Sequence, residues 1–179
     1  HSEKGLGSNQ LSGNNGSFDS GIGDWANAGL TVFESSSDYQ RNGKNTGKFS
    51  MTNSGTANGY ASLVDDNFAD GIPNTGDVFK LSFYYRVPIH GTGGSSSFRV
   101  GIMGNYTTLV GYNWDGLELG TVDDWTYWEG YFSWAGGSTN NMIGVGAKAD
   151  GAGETVTGYV DDWSLKKVNM GNHATTVFY

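Results

Sequence analysis

Residues 78–87 alternate between apolar and polar side chains more regularly than any other segment of this sequence. The apolar positions are Phe79, Leu81, Phe83, Tyr85 and Val87, and the intervening ones include Lys80, Ser82, Tyr84 and Arg86. Because successive side chains of a β-strand point to opposite faces, the pattern predicts a strand with one face in a core. Such a strand needs a second apolar layer to cover it, which favours a layered β structure.

The composition extends this prediction to the whole chain. Its 179 residues include 30 Gly, 6 Trp, 10 Tyr and 9 Phe but only 2 Pro, so short apolar runs are separated by residues typical of tight turns. This combination predicts an all-β fold, a two-sheet antiparallel β-sandwich, and the aromatic content argues against disorder. We expect one domain at 9–168, a flexible N-terminal linker at 1–8 and a C-terminal tail at 169–179.

Shorter segments predict the remaining strands. We expect them at 9–11, 30–34, 47–52, 57–65, 98–103, 107–114, 125–134, 141–149 and 155–168. Two polar segments, at 35–46 and 66–77, are interpreted as loops.

The net charge restricts the partners. At a formal charge of −8 and a pI near 4.6, binding to nucleic acid or to an anionic membrane is disfavoured, since either needs a basic patch. An acidic surface suits calcium sites and neutral glycans. No apolar run approaches the roughly 18 residues of a membrane span. The chain begins at His1, and we expect a processed chain or one part of a larger multidomain protein or assembly.

Two acids stand beside apolar residues. In the predicted strand Gly158 to Lys167, Asp161 shares a face with Tyr159, Trp163 and Leu165, whereas Asp162 is expected to face solvent. A buried carboxylate needs a cation, a metal or several hydrogen-bond donors. Near the other end of the chain Asp19 follows Phe18, and the two acids could share one ion. The alternative is that Asp19 is a turn acid and Asp161 a hydrogen-bonded strand acid.

Several short motifs occur in an order that resembles a known family. They are Asn15-Gly16-Ser17-Phe18-Asp19, Asp24-Trp25, Gly47-Lys48-Phe49-Ser50-Met51, Leu81-Ser82-Phe83-Tyr84, Trp125 with Gly130-Tyr131-Phe132, and Tyr159-Val160-Asp161-Asp162-Trp163-Ser164-Leu165. Together they resemble the jelly-roll carbohydrate-binding modules of families 4, 16 and 22, over roughly residues 9–168. The resemblance implies a jelly roll that binds a polysaccharide or surface glycan, and a secreted or otherwise surface-exposed protein.

The resemblance also implies a structural calcium that ties the first strand to the last. Its predicted ligands are the carboxylates of Asp19 and Asp161 and the backbone carbonyls of Ser17, Asn45 and Lys48. Calcium accepts such mixed oxygen shells. Asp19 stands where the family more often has Glu, and its shorter side chain could leave a gap for water.

Sugar-binding proteins stack aromatic rings on pyranose faces and place polar groups beside them. The predicted ligand-binding residues are Tyr60, Tyr84, Arg86, Tyr112, Trp114, Tyr127 and Glu129. They are expected to line one groove. The alternative for each is packing in the core or at its rim.

The sequence leaves three classes of function open. A non-catalytic glycan-binding module is favoured, which could be an appended module of a polysaccharide-degrading enzyme. A structural or adhesion domain of a virion or cell surface, with the same sandwich and no sugar binding, is second. Hydrolase or lyase activity is third, because Glu118 and Glu129 do not form the paired carboxylates of a glycosidase and the three His form no zinc or triad pattern.

Overall fold

The computed structural model describes residues 5–91, 96–103, 122–134 and 142–169. Its elements in chain order are β1 (Leu6–Asn9), α1 (Asn14–Ser17), β2 (Ala26–Ala28), β3 (Val32–Arg41), β4 (Lys44–Thr52), β5 (Asn58–Val64), a 3₁₀ turn (Asp65–Asn67), β6 (Val78–Ile89), β7 (Ser97–Met103), β8 (Val122–Ser133), β9 (Met142–Lys148) and β10 (Thr155–Val168). In these ranges no helix is long and apolar enough to cross a membrane.

The strands form two antiparallel sheets. Sheet A has the order β3-β4-β10-β6-β8, with β1 also paired to β10, and sheet B has the order β2-β5-β9-β7. The prediction of an all-β, two-sheet sandwich is confirmed. The strands predicted around 98–103, 125–134 and 141–149 are present as β7, β8 and β9, whereas the one predicted at 107–114 lies outside the described residues.

The core lies between the sheets and is rich in aromatic rings. Four predicted core residues of β6, namely Phe79, Leu81, Phe83 and Val87, are buried, and Tyr85 is partly buried against them. Phe83 stacks on Trp163 of β10 at a centroid distance of 4.8 Å. A second group of rings, Phe18, Trp25, Phe33 and Phe49, packs at 5.0–6.4 Å.

The first strand differs from its prediction. It spans Leu6–Asn9 instead of 9–11, so the predicted linker at 1–8 is wrong for its last three residues. These residues pair with the end of β10, where Leu6 is opposite Val168, and the ladder continues as the Gln10 N–H donates to the Leu165 carbonyl at 2.8 Å. Residues 1–4 and 170–179 lie outside the described residues, so the outer limits of the domain stay predictions.

The predicted loop at 35–46 is also wrong. Strands β3 and β4 form a hairpin there, closed by Asn42 and Gly43 at φ values of 52° and 72°. Two consecutive positive φ values are the geometry of the type I′ turn, for which Asn-Gly is the preferred sequence. The segment resembles a loop in sequence because this end of the hairpin contributes few apolar side chains.

Strand β10 contains a bulge that changes which side chains enter the core. Its register with β6 shifts between Asp161 and Ser164, and Asp162 has a φ of 49°. Val160 and Trp163 therefore both enter the core, three residues apart, together with Leu165. The prediction that Tyr159 and Asp161 share a face with Trp163 is wrong, because the extra residue reverses the alternation.

Candidate functional site

The predicted ligand-binding residues lie on two opposite faces of the sandwich. Tyr60 belongs to β5 of sheet B, whereas Tyr84, Arg86, Tyr127 and Glu129 belong to β6 and β8 of sheet A. The prediction of a single groove is therefore wrong for these five residues, because β5 pairs with β2 and β9 and not with a strand of sheet A. Tyr112 and Trp114 lie outside the described residues.

On sheet B, Tyr60 stands on the outer face. Its neighbours Ala61 and Leu63 are buried in the core, so alternation directs the Tyr60 side chain outward. A row of paired residues crosses the sheet at this point, from Ala28 to Tyr60 to Gly146 to Arg99. The adjacent row contains Asn58, Lys148 and Ser97.

These two rows surround a depression of about 330 Å³. It is lined by Ala28, Asn58, Gly59, Tyr60, Arg99, Gly146, Ala147 and Lys148. Half of the lining residues are Gly or Ala, so much of the floor is backbone, and one aromatic ring and three polar side chains stand around it. A concave site with an apolar surface and a few polar groups is typical of small-ligand binding.

Gly59 allows a close chain crossing beneath the depression. It has the same strand parity as the buried residues Ala61 and Leu63, so it faces the core. A Cβ atom added there would lie 2.5 Å from the backbone of Gly29, which forms a bridge with Tyr60. Only glycine permits this approach of the chain after β2 to the inner side of β5.

The outer face of sheet A is covered in part by the end of the β3–β4 hairpin. The Arg41 guanidinium lies 3.4 Å from the centroid of the Tyr84 ring, and Arg86 lies 4.4 Å from that of Tyr39. Tyr39 in turn packs on Tyr159 at 4.9 Å. One of the ring faces that a sugar could use on Tyr84 is thus occupied by a cation–π contact within the protein.

Tyr127 is the most open predicted ligand-binding ring of this face. It is 47 % exposed, packs on Tyr84 at 5.1 Å and donates a hydrogen bond to Glu129 at 2.9 Å. This hydrogen bond and the nearby Lys80 ammonium, 3.3 Å away, hold the pKa of Glu129 below its usual value. Arg86 forms an ion pair with Asp123 at 3.2 Å.

The two predicted calcium carboxylates each contact a cationic side chain. Arg41 Nη1 lies 3.3 Å from Asp161 and also contacts Asp162, while Lys44 Nζ lies 3.3 Å from Asp19. Burial, and then the neighbouring Asp162, raise the pKa of Asp161 to about 6, against the opposing effect of Arg41. This agrees with the alternative in which both acids are held by groups of the protein.

The remaining predicted calcium ligands are distributed as follows. The Asn45 amide donates to Ser35 Oγ at 3.3 Å, and Lys48 is paired with Glu34 on one side and Tyr159 on the other, so its backbone lies within the sheet. Ser17 Oγ accepts a hydrogen bond from the Asp19 N–H at 3.3 Å. No three His, Cys, Asp or Glu side chains cluster in the described part of the chain. As arranged, the residues do not fit an ion shared by Asp19 and Asp161 unless both contacts with cations break, and calcium stays a prediction.

Sequence reasoning missed five residues of these two faces. They are Tyr39, Arg41, Asn58, Arg99 and Lys148. The signal for Lys148 was available in the alternation of β9, where Gly144 and Gly146 occupy outward positions and Lys148 ends the series. The signal for Arg99 was the alternation of β7, where it stands between the buried Phe98 and Val100. For Tyr39 and Arg41 the signal was the Asn-Gly turn that follows them.

Comparison with solved structures places this fold among known ones. The CBM22-1 xylan-binding domain from Paenibacillus barcinonensis Xyn10C matches with a TM-score of 0.55 and 14 % identity, over 87 % of this chain and 94 % of that one. A family 16 carbohydrate-binding module matches with a TM-score of 0.54 and 16 % identity, over 88 % and 99 %. The fold is that of jelly-roll carbohydrate-binding modules. The resemblance predicted from the sequence motifs is thereby confirmed at the level of the fold, and a family 4 module is among the further matches.

A third match comes from a larger protein. The enzymatically active domain of bacteriophage CBA120 tailspike protein 4 matches with a TM-score of 0.60 and 14 % identity, over 89 % of this chain but 21 % of that one. No protein-family model matches the sequence, and neither does any curated protein. At these identities the matches describe the fold alone.

Proposed function

We propose that this chain is a non-catalytic glycan-binding module that holds a sugar in the depression of sheet B. The observation that carries the proposal is the row Ala28–Tyr60–Gly146–Arg99, which sets an aromatic ring beside a glycine floor and a cationic side chain. The fold of the xylan-binding domain, and that of TmCBM61, solved in complex with β-1,4-galactotriose, support it.

The chemistry of the depression suits a pyranose. The Tyr60 ring offers an apolar face to the C–H side of the sugar, and Asn58, Arg99 and Lys148 offer hydrogen bonds to its hydroxyls. The volume of about 330 Å³ is at the lower end of small-molecule sites. We therefore expect the site to hold one or two sugar rings of a longer chain.

The outer face of sheet A is the second candidate surface, with Tyr84, Arg86, Tyr127 and Glu129. We rank it below sheet B because Arg41 covers one face of Tyr84 and Arg86 is engaged by Asp123 and Tyr39. Tyr127 alone of these rings offers a half-exposed face.

The test compares one tyrosine on each face. Binding of a panel of oligosaccharides is measured by glycan array and then by calorimetry for Tyr60→Ala and Tyr127→Ala. Loss of one stacked ring weakens binding about tenfold or more, since a tenfold change corresponds to about 1.4 kcal/mol. We expect this loss for Tyr60→Ala only. Equal binding by Tyr60→Ala and the parent chain, or loss confined to Tyr127→Ala, would contradict the assignment to sheet B.

A structural or adhesion domain of a surface protein is the second candidate function. The observation in its favour is the match to one fifth of the tailspike chain, where the matching part lies within a larger chain. Either function suits an extracellular or surface-exposed protein. Stable oligomers in light scattering, together with no array hit, would support the adhesion function. Release of reducing sugars from a panel of polysaccharides would instead indicate that the chain is an enzyme.

A structural calcium is a separate proposal. What supports it is the second carboxylate oxygen of Asp161, Oδ1, which is buried and accepts no hydrogen bond in the described part of the chain. Asp161 and Asp19 would supply the charged ligands. The ion would add stability and take no part in sugar contacts.

A further inference from the structure

The charge of the depression in sheet B differs from that of the whole protein. The chain has a formal charge of −8, yet the charged residues that line the depression, within the described ranges, are Arg99 and Lys148. No carboxylate is among these lining residues. The described lining therefore carries two positive charges, and at physiological ionic strength distant charges are screened over about 8 Å.

Lys148 differs from most cations in the described part of the chain, and shares with Lys166 the lack of an ion pair there. Six others form ion pairs with carboxylates, namely Arg41, Lys44, Lys48, Lys80, Arg86 and Lys167. In the part of the chain that the structure describes, Lys148 forms none. An ammonium group without a carboxylate partner, placed at the wall of a depression, is a ready site for an anion.

Arg99 stands next to Lys148 on the neighbouring strand. In the register of β7 and β9, Arg99 is opposite Gly146 and Ser97 is opposite Lys148, so the two cations are diagonal neighbours on one face. Side chains in this relation are within reach of each other. Ser97 Oγ accepts a hydrogen bond from Arg99 Nε at 2.8 Å, which orients the guanidinium.

We propose that the ligand of this depression is an anionic glycan whose sugar carries a carboxylate, as in a uronic acid. The Tyr60 ring stacks on the sugar, and the carboxylate lies between Lys148 and Arg99, whose guanidinium fork matches carboxylate geometry. This inference rests on the proposed function and adds the class of sugar. It differs from the expectation of a neutral glycan, which follows from the net charge when local charge is not considered.

The experiment uses one polymer in two forms. Oligogalacturonate and alginate oligomers are compared with the same oligomers after chemical reduction of their carboxyl groups to alcohols. We expect calorimetry to show about tenfold or more weaker binding of the reduced forms, because an alcohol cannot replace the charge-assisted hydrogen bonds that a carboxylate accepts. Sulfated dextran and polyglutamate are included as anions with a different group or without a sugar.

Variants separate the two proposals. Lys148→Gln should weaken binding of the carboxylated oligomers about tenfold and leave the reduced ones unchanged, whereas Lys148→Arg should retain most binding. The matched control is Lys80→Gln on sheet A, which should bind as the parent does. Tyr60→Ala should weaken binding of both forms.

The outcomes are distinct. Equal binding of both polymer forms, lost in Tyr60→Ala but unaffected by Lys148→Gln, overturns the anionic class and leaves the proposed function standing. Binding of sulfated dextran or polyglutamate as tight as that of the uronates overturns selection of a carboxylated sugar. No binding of any oligomer overturns both proposals.

Discussion

Asp161 is a buried carboxylate whose setting connects the bulge in β10 with the charges on sheet A. It is 3 % exposed and lies against Arg41, which also contacts Asp162 and stacks on Tyr84. One guanidinium thus serves two acids and one ring. Burial of the Asp161 carboxylate depends on Arg41, because a buried carboxylate without a cation is strongly unfavourable.

Removing Arg41 should therefore cost stability through Asp161. We expect Arg41→Met to lower the free energy of unfolding at pH 7 by about 3 kcal/mol, the usual cost of leaving a buried charge unpaired. Urea unfolding in the presence of EDTA measures it. The double variant Arg41→Met with Asp161→Asn is the control and should recover most of the loss. A loss that persists in the double variant would show that Arg41 acts through its ring contact instead.

The raised pKa of Asp161 makes stability depend on pH. Its value is about 6 in the folded chain, against an ordinary 3.8, so the folded state retains a proton that the unfolded state has released between these values. The contribution of Asp161 to the free energy of unfolding therefore falls as pH rises from about 4 to about 6 and is level above that. Asp161→Asn lacks this contribution.

The difference in free energy of unfolding, variant minus parent, should accordingly increase between pH 4 and pH 7. Urea titrations of both proteins at pH 4, 5, 6 and 7, in EDTA, measure it. The control is Thr56→Ser, an exposed substitution that removes no titratable group, for which the difference should be nearly constant. A difference for Asp161→Asn that decreases with pH would indicate that the carboxylate is stabilised as an anion, as a bound metal would do.

Among the elements, the β3–β4 hairpin shows what the sequence does and does not reveal. The Asn42-Gly43 pair is a strong local signal for a two-residue turn, and a search for this dipeptide would have found the hairpin. The bulge in β10 has no such signal. It depends on Asn9, whose Oδ1 accepts hydrogen bonds from the N–H groups of Leu11 and Leu165 and whose amide donates to the Trp163 carbonyl. The contacts with Trp163 and Leu165 span more than 150 positions in sequence.

The turn glycine allows a direct test of the hairpin. Gly43 has a φ of 72° and an added Cβ would meet no atom within 4 Å, so Gly43→Ala introduces backbone strain without a clash. We expect a loss of about 1 to 2 kcal/mol in the free energy of unfolding. Gly7→Ala in β1 is the control, because its φ is not positive and its nearest contact would be at 3.5 Å. It should change stability by no more than about 0.5 kcal/mol. Equal effects at both positions would contradict the turn geometry.

At the scale of the whole molecule, the sequence predicts which side chains face the core better than it predicts which strands pair with each other. Alternation assigned Phe79, Leu81, Phe83 and Val87 to a core, because the period of a strand is a local property. It could not assign β5 to sheet B or Tyr84 to sheet A, since pairing between distant strands is decided by how the entire core closes. The site was therefore predicted as one groove, while its residues occupy two faces.

The calcium ion predicted from the resemblance can be tested through the stability of the whole domain. If calcium binds Asp161 in the folded chain only, the free energy of unfolding rises by about 2.7 kcal/mol at a hundredfold excess over Kd. For a domain of this size the melting temperature then increases by roughly 5 to 11 °C. Scanning calorimetry in calcium and in EDTA measures the shift, and Asp161→Ala should abolish it without changing glycan binding.

The contact between Arg41 and Asp161 sharpens this test. Calcium and the guanidinium would compete for the same carboxylate, so Arg41→Met should bind calcium more tightly and show a larger shift in melting temperature than the parent. Lys167→Met, which removes a cation whose ion pair is with Asp77, is the control and should respond as the parent does. The calcium site is contradicted if neither the parent nor Arg41→Met responds to calcium and elemental analysis finds no metal. The buried Asp161 is then stabilised by its ion pair with Arg41 and not by a metal.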